Sequence, residues 1–198
     1  MSSAHPHVEA GGGQHGGRDA LSAIADAVLG AGPHVTIDLL DLLERPVAEP
    51  VDVVRAGDDL LPRLAHQRVL RLALTRAARA LRPGGLLLAP VPELDRLRGL
   101  RPAGPPPRVV GHGEDRKVTV QLWEWSEDGR SYAFDVVQLA RGPVGWEVSR
   151  SVSTTHQVLT AEEIDRALTA AGFAGRQRLA PVETGHPLPV YVAVACGR

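Results

Sequence analysis

The chain has 198 residues, of which 43% are hydrophobic and 4% aromatic, so Leu, Val and Ala must fill most of its core. Its 22 basic and 23 acidic residues give a net charge of −1, which excludes a strongly basic surface for nucleic acid. The single cysteine, Cys196, excludes an intrachain disulfide and a cysteine-based metal site. No apolar run approaches the roughly 20 residues that span a membrane, and no signal peptide is recognisable. We therefore expect a soluble, cytoplasmic protein without a nucleic-acid or membrane partner.

The N-terminal part contains a polar leader, a helix and a strand. Residues 1–18 are rich in Ser, His and Gly, which predicts a disordered leader. Apolar residues at helical spacing predict a helix over Asp19–Leu29, which Gly30 ends. The stretch His34–Leu39 then predicts a strand, and we expect residues 19–198 to form a single domain.

Residues 51–94 predict a strand, a polar turn, an amphipathic helix and a buried strand. Val51–Val54 is the first strand, and apolar residues recur at helical spacing between Val69 and Leu81 with arginines opposite. The segment Arg82-Pro83-Gly84-Gly85 should end the helix, because Pro disfavours a preceding helical residue and Gly accepts positive φ. The all-apolar run Leu86–Ala89 is typical of a parallel sheet that is covered on both faces.

The C-terminal half begins with alternating residues and Gly-containing turns, which predict an antiparallel meander. Its strands are expected over Lys117–Trp125, Tyr132–Leu139 and Trp146–Val152. Thr160 begins a capping box for a helix that continues to Ala171. The last two strands are expected over residues 176–180 and 190–195.

Several of these stretches, taken in order, resemble one family. "VDVV", "GDDLLPRL" and "ALTRAARALRPGGLLLAP" resemble the second half of class I S-adenosylmethionine-dependent methyltransferases, most closely the glycine/sarcosine N-methyltransferase-like enzymes. "QLWEWSEDGRSY" resembles the inserted sheet that roofs the substrate pocket in those enzymes, and "LTAEEIDRALTAAGF" is common near the end of the fold. The resemblance covers about residues 19–195. It implies an α/β fold with a Rossmann-like class I methyltransferase sheet, an inserted antiparallel β-meander, S-adenosyl-L-methionine as cofactor and a small-molecule substrate.

The cofactor half of the family's site aligns in two ways. In the first, Gly11 and Gly13 belong to a degenerate Gly-rich turn that approaches the methionine part of the cofactor. In the second, which we prefer, the first predicted helix and strand match the family's second helix and third strand. The sheet is then shortened at its N-terminus, and Asp38 or Asp41 matches the position beside the adenine ring. A capping or solvated acid at a strand end explains Asp38 equally well.

The turn after Val54 matches a family motif of the form Asp-Asn-x-Leu-Pro-His-Leu, which lies beside cofactor and substrate. The match implies that Gly57 and Asp58 bind the cofactor, that Asp58 and Asp59 orient the nucleophile, and that Arg63 contacts the substrate. Two adjacent acids can hold an ammonium group or share a proton. They are equally typical of a helix N-cap and first turn.

The resemblance also implies substrate contacts in the C-terminal half. The family's Arg-Asp-Tyr-Asp motif keeps only its final acid, Asp95. His156 takes the place of a family tyrosine, and His186 lies in a matching segment before the last strand, so either histidine is a candidate base. We also expect His186 to contact the substrate. The predicted aromatic roof, which either cages a cationic amine or packs the small sheet, comprises Trp123, Trp125 and Tyr132.

Two functions are compatible with a family scaffold whose polar contact residues are mostly exchanged. The chain is either a methyltransferase for a small-molecule amine or a non-catalytic subunit that has lost the cofactor and acts as a scaffold. A missing flanking strand would expose an apolar edge, which predicts a homodimer or a heteromeric partner. Losing two or three charge-assisted hydrogen bonds at about 1.5–3 kcal/mol each predicts weak or absent cofactor binding by the isolated chain. No metal site is expected.

Overall fold

The structure, a computed structural model, describes residues 14–196, which form two compact units. The first unit contains the described residues up to Leu61, together with Val69–Pro92 and the residues from Glu162 onward. The second unit contains Pro62–Arg68 and Glu93–Ala161. No described helix has both the length and the apolarity needed to span a membrane.

The elements are numbered in chain order. The helices are α1 Gln14–Leu29, α2 Leu39–Glu44, α3 Leu60–His66, α4 Leu70–Ala80, α5 Ala161–Ala171 and α6 Pro181–Thr184. The strands are β1 Thr36–Asp38, β2 Val51–Arg55, β3 Leu81–Pro90, β4 Arg108–Val110, β5 Lys117–Trp125, β6 Ser131–Arg141, β7 Trp146–Gln157, β8 Phe173–Leu179 and β9 Val190–Ala195. Short 3₁₀ turns lie at Asp95–Leu97 and Gly113–Asp115.

The described part of the first unit contains a five-stranded sheet in the order β1-β2-β3-β9-β8. Strands β1, β2 and β3 are parallel, and Asp38 at the end of β1 pairs with Arg55 at the end of β2. The strand near residue 36 therefore lies directly beside the strand at residue 51. The parallel environment predicted for Leu86–Ala89 is only half correct, because β9 runs antiparallel to β3 on its other side.

Both faces of this sheet are covered by helices. Helix α1 packs Leu21, Ile24 and Ala25 against one face, where the cluster includes Val53 and Leu88. The alternate residues of the same strands point to the other face, where α2 and α4 contribute buried leucines and alanines. Burying aliphatic side chains on both faces removes most of their surface from water, which stabilises the layered arrangement at about 25 cal/mol per Å².

Several element boundaries of the first unit differ from the sequence prediction, including that of β8, which spans Phe173–Leu179 against a predicted 176–180. Helix α1 begins at Gln14, so residues 14–18 of the predicted leader are helical, and the rest of the leader lies outside the described residues. Strand β1 ends at Asp38, because Leu39 and Leu42 are buried on the helix α2 that follows. Strand β3 begins already at Leu81, whose φ and ψ are extended at −77° and 140°.

The second unit is built on a four-stranded antiparallel sheet in the order β4-β5-β6-β7. The predicted meander is confirmed, and β5 has the predicted bounds. The structure adds β4, which the Pro-rich segment before it obscured. It also extends β7 to Gln157, because Val152–Gln157 continues to pair with β6 beyond the predicted end.

Candidate functional site

The carboxyl ends of the parallel strands in the first unit converge with the start of β9. Asp38 ends β1, Arg55 ends β2, and Pro90 at the end of β3 pairs with Val190 at the start of β9. The turn after β2 and the segment before β9 therefore meet at the same edge of the sheet. Open α/β sheets bind their ligands at this edge.

Asp58 and His186 contact each other at this edge. The Nε2 atom of His186 lies 3.5 Å from Oδ1 of Asp58, and only 2% of the His186 side chain is exposed, against 60% for Asp58. The backbone N–H of Leu188 donates to Nδ1 of His186 at 3.0 Å. Nδ1 also lies 3.2 Å from the carbonyl oxygen of Leu188, so the tautomer decides whether Nδ1 accepts from or donates to this residue, while Nε2 faces the carboxylate in either case.

The environment of Asp58 shifts its acidity. Surrounding protein atoms remove water from the carboxyl group although its surface remains partly open, and this raises the pKa of Asp58 above its ordinary value of 3.8. The His186 imidazole acts in the opposite direction, and the adjacent Asp59 adds to the increase. A carboxylate with a raised pKa is a better proton acceptor, which suits Asp58 to hold and deprotonate an ammonium group.

The geometry changes the expected role of His186. One ring nitrogen contacts the backbone of Leu188 and the other faces Asp58, so neither is directed at open space. This arrangement favours a supporting role, in which His186 holds the Asp58 carboxylate, over the predicted substrate contact.

Asp38 and Gly57 lie where the resemblance places cofactor contacts. Asp38 is the N-cap residue of α2 by its backbone, but its exposed side chain makes no capping hydrogen bond. A Cβ atom added at Gly57 would meet no atom within 4 Å, so the backbone beside Asp58 faces open space. An exposed carboxylate and an open backbone segment at adjacent strand ends fit an adenosine group. Gly11 and Gly13 lie outside the described residues.

Arg55 is a polar residue of this edge that the sequence analysis missed. Its Nη2 atom donates to Oγ of Ser22 on α1 at 3.0 Å, while its buried Nε finds no acceptor in the described part of the chain. A guanidinium is always charged, and a buried donor without an acceptor is costly. An arginine directly after the apolar pair Val53-Val54 was the available sequence signal.

The predicted aromatic roof residues lie together in the core of the second unit. Tyr132 is 5% exposed and stacks on His156 with ring centroids 5.2 Å apart, and His156 has no exposed surface. Trp125 lies 5.3 Å from the Tyr132 ring and donates from Nε1 to the Pro102 carbonyl at 2.7 Å. Trp123 packs against both rings. This packing favours the structural interpretation of the aromatics over the amine cage, and it favours packing over catalysis for His156.

Two further predicted site residues lie in the second unit. Arg63 lies in the last turn of α3, and Asp95 begins a 3₁₀ turn; both are half-buried. Within the described residues, no group of three or more His, Cys, Asp and Glu side chains is arranged to hold a metal ion.

Comparison with solved structures identifies similar folds. CalS10, a SAM-bound amino pentose methyltransferase of calicheamicin biosynthesis from Micromonospora echinaspora, is 16% identical with a TM-score of 0.68, over 98% of this chain and 99% of that one. DesVI from Streptomyces venezuelae is 17% identical with a TM-score of 0.66, over 93% of each chain. The sugar N-methyltransferase KedS8 from Streptoalloteichus is 20% identical with a TM-score of 0.62, over 79% of this chain.

These similarities identify the fold. The chain has the α/β, Rossmann-like fold of class I methyltransferases, as the sequence predicted. It spans about 60% of the length of KedS8. No protein-family model and no curated protein matches the sequence. At these identities the fold does not determine the activity, which has to be argued from the site.

Proposed function

We propose that this protein transfers a methyl group from S-adenosylmethionine to an amine nitrogen of a small molecule. The observation that carries the proposal is the Asp58–His186 pair at the ligand-binding edge of a methyltransferase fold. Two of the similar structures support the amine, since one is an amino pentose methyltransferase and the other a sugar N-methyltransferase.

The chemistry requires a free lone pair on the substrate nitrogen. S-adenosylmethionine, when bound, supplies an electrophilic methyl group. The Asp58 carboxylate holds the substrate ammonium and accepts its proton, and its raised pKa makes it a better proton acceptor than an ordinary carboxylate. His186 keeps the carboxylate oriented, so that the nitrogen is aligned before the transfer.

The cofactor contacts follow from the same edge. Asp38 accepts hydrogen bonds from the adenosine part, and the open backbone at Gly57 allows close approach. Arg55 offers a cation whose Nε lacks an acceptor among the described residues. Substrate contacts through Arg63, Asp95 and the aromatic residues of the second unit remain predictions.

A second function, a non-catalytic scaffold, is favoured by one observation. Strand β1 pairs directly with β2, with no further strand between them in the described sheet. A chain without the Gly-rich turn lacks part of the cofactor site, and its fold would then serve to bind another protein.

Calorimetric titration with S-adenosylhomocysteine separates the two functions. Binding in the micromolar range, weakened about tenfold by Asp38→Ala, supports the methyltransferase. Glu49→Ala is the matched control, because Glu49 is exposed in the loop after α2 and makes no contact at this edge. No heat of binding at millimolar ligand contradicts the methyltransferase and leaves the scaffold function. Mass spectrometry after incubation with S-adenosylmethionine and matched amino and hydroxy sugars tests the amine specificity.

A further inference from the structure

The four-stranded sheet of the second unit has two chemically different faces. Side chains alternate along a strand, so residues that pair across the register share a face. One face carries the aromatic cluster around Tyr132. On the opposite face, the register aligns Val109, Val118, Leu139 and Val148 in a single row across all four strands.

The neighbouring rows continue this apolar surface on β5 and β6 and become polar towards β7. Val120 pairs with Val137 in the next row, which ends in Ser151, and Leu122 lies in the row beyond it with Asp135 and Ser153. Trp146 lies on the same face beyond Val148, because it pairs with Arg141, two residues after Leu139. We call the surface formed by these rows, from Trp146 to Leu122, the aliphatic face.

The aliphatic face is open to solvent. Val148 is 62% exposed, Leu122 48% and Val109 47%, and none of its other residues is fully buried. An antiparallel sheet with one packed face normally presents polar residues on the other. A contiguous exposed apolar patch marks an interaction surface. Trp146 is 41% exposed with the Arg141 guanidinium 5.8 Å from its ring, and Trp and Arg dominate the binding energy of interfaces.

The charges at the two ends of the aliphatic face are complementary. Arg141 lies at the Trp146 end, while Glu124 and Asp135 lie at the Leu122 end. Glu124 pairs with Ala133 on β6. Ala133 lies as many residues before Val137 along β6 as Arg141 lies after it. Rotating a second copy by 180° about an axis through the Val137 row therefore brings Glu124 of each copy against Arg141 of the other.

We propose that the aliphatic face is an isologous interface through which two copies of this chain pack their four-stranded sheets together. Most oligomers are two-fold symmetric, and sheets that pack face to face lie about 10 Å apart with aligned strands. The end-to-end charge complementarity favours a second copy over an unrelated protein. The acidic end disfavours an anionic membrane surface.

The size of the face sets the expected affinity. Three long strands span about 14 Å and four rows of residues span about 27 Å, and Val109 on β4 extends one row, which gives about 420 Å² for each partner. The total of about 850 Å² is in the range of weak, transient interfaces. The dimer is therefore weak and in equilibrium with its monomer at micromolar concentrations.

Sedimentation equilibrium of the whole chain between about 1 and 100 μM tests the proposal. Val148→Lys places a charge on the exposed face and should raise the dissociation constant at least about a hundredfold. Leu100→Lys is the matched control, because Leu100 is 78% exposed and lies outside this sheet. Circular dichroism verifies that both variants fold. A wild-type chain that is monomeric at 100 μM, or equal effects of the two variants, would overturn the proposal.

A charge exchange tests the orientation. Glu124→Arg and Arg141→Glu should each weaken the dimer about tenfold, and the double variant should recover wild-type affinity within about threefold. A double variant weaker than either single one overturns the two-fold arrangement. Binding of the monomer to vesicles of anionic phospholipid, with no dimer at any concentration, assigns the face to a membrane and overturns the proposal as well.

Discussion

The imidazole of His186 contacts the carboxylate of Asp58, with Nε2 and Oδ1 3.5 Å apart, although the two residues flank different strands. The contact exists because β9 runs antiparallel to β3, which brings the segment before β9 to the carboxyl edge of the parallel strands. It joins a buried histidine, held by the backbone of Leu188, to an acid with a raised pKa, and the proposed chemistry depends on this pair.

Asp58→Asn should separate activity from stability. Because the asparagine cannot accept a proton, we expect kcat/KM for the amine to fall about 10²–10⁴-fold. Burial raises the pKa of Asp58, which means that ionising this group costs more free energy in the folded state than in the unfolded state. The free energy of unfolding therefore falls as the pH rises from 3.8 through the raised pKa. At neutral pH the variant should therefore melt at the wild-type temperature or above it.

Asp115→Asn, at an exposed position, is the control for the kinetic measurement. A large loss of thermal stability in Asp58→Asn would contradict this account.

His186→Leu should move the acid limb of the pH profile. His186 lowers the pKa of Asp58, so its removal should raise that pKa and shift the rise of kcat/KM to higher pH. His186→Gln keeps an N–H donor for the carboxylate and should shift the profile less. If both variants only lower the melting temperature and leave the pH profile unchanged, His186 has a structural role and does not position Asp58.

Asp52 should stabilise the first unit in a pH-dependent way. Its carboxylate accepts hydrogen bonds from Nε of Arg82 and from the backbone N–H of Val35 at 2.7 Å. Asp52→Asn should reduce the free energy of unfolding by about 1–2 kcal/mol at neutral pH, measured by urea denaturation. Glu49→Gln, at an exposed position, should have no effect.

The pH dependence of the Asp52 effect has a defined sign. The Arg82 hydrogen bond, with that of Val35, lowers the pKa of Asp52 below 3.8. Its stabilisation is therefore complete above pH 3.8 and is lost as pH falls through the lowered pKa. The difference between the wild type and Asp52→Asn should shrink in that range; a difference that grows on acidification would refute the assignment.

Gly104→Ala should destabilise the second unit. Gly104 has a φ of +134°, and an added Cβ atom would lie 2.3 Å from the carbonyl oxygen of Gln121 on β5. We expect a loss of about 1–3 kcal/mol, as for other overpacked positions. Gly99→Ala is the control, because its Cβ would meet no atom within 4 Å. Tryptophan fluorescence during denaturation reports this unit, since Trp123, Trp125 and Trp146 all lie in it.

Local sequence patterns were sufficient to predict most of the elements. Strands β5 and β9 have the predicted bounds, and α5 begins one residue after its capping Thr160. These elements follow from side-chain periodicity and end signals, which depend only on neighbours along the chain. Helix α3 begins directly after Asp58 and Asp59, as the helix N-cap alternative for these acids implied, but its seven residues, which include Pro62, are too few for a clear period.

What the sequence alone determined is therefore most of the longer elements, the α/β class and the acids that follow the second strand. Only the tertiary structure decided that His186 supports Asp58, that Arg55 lies beside Asp38, and that the aromatic residues pack around His156. It also decided that one face of the small sheet is an exposed aliphatic surface, because a row across four strands depends on their register. Periodicity records which side chains share a face within one element. Pairing between elements is set by burial and hydrogen bonding over the whole chain, and no local pattern contains that information.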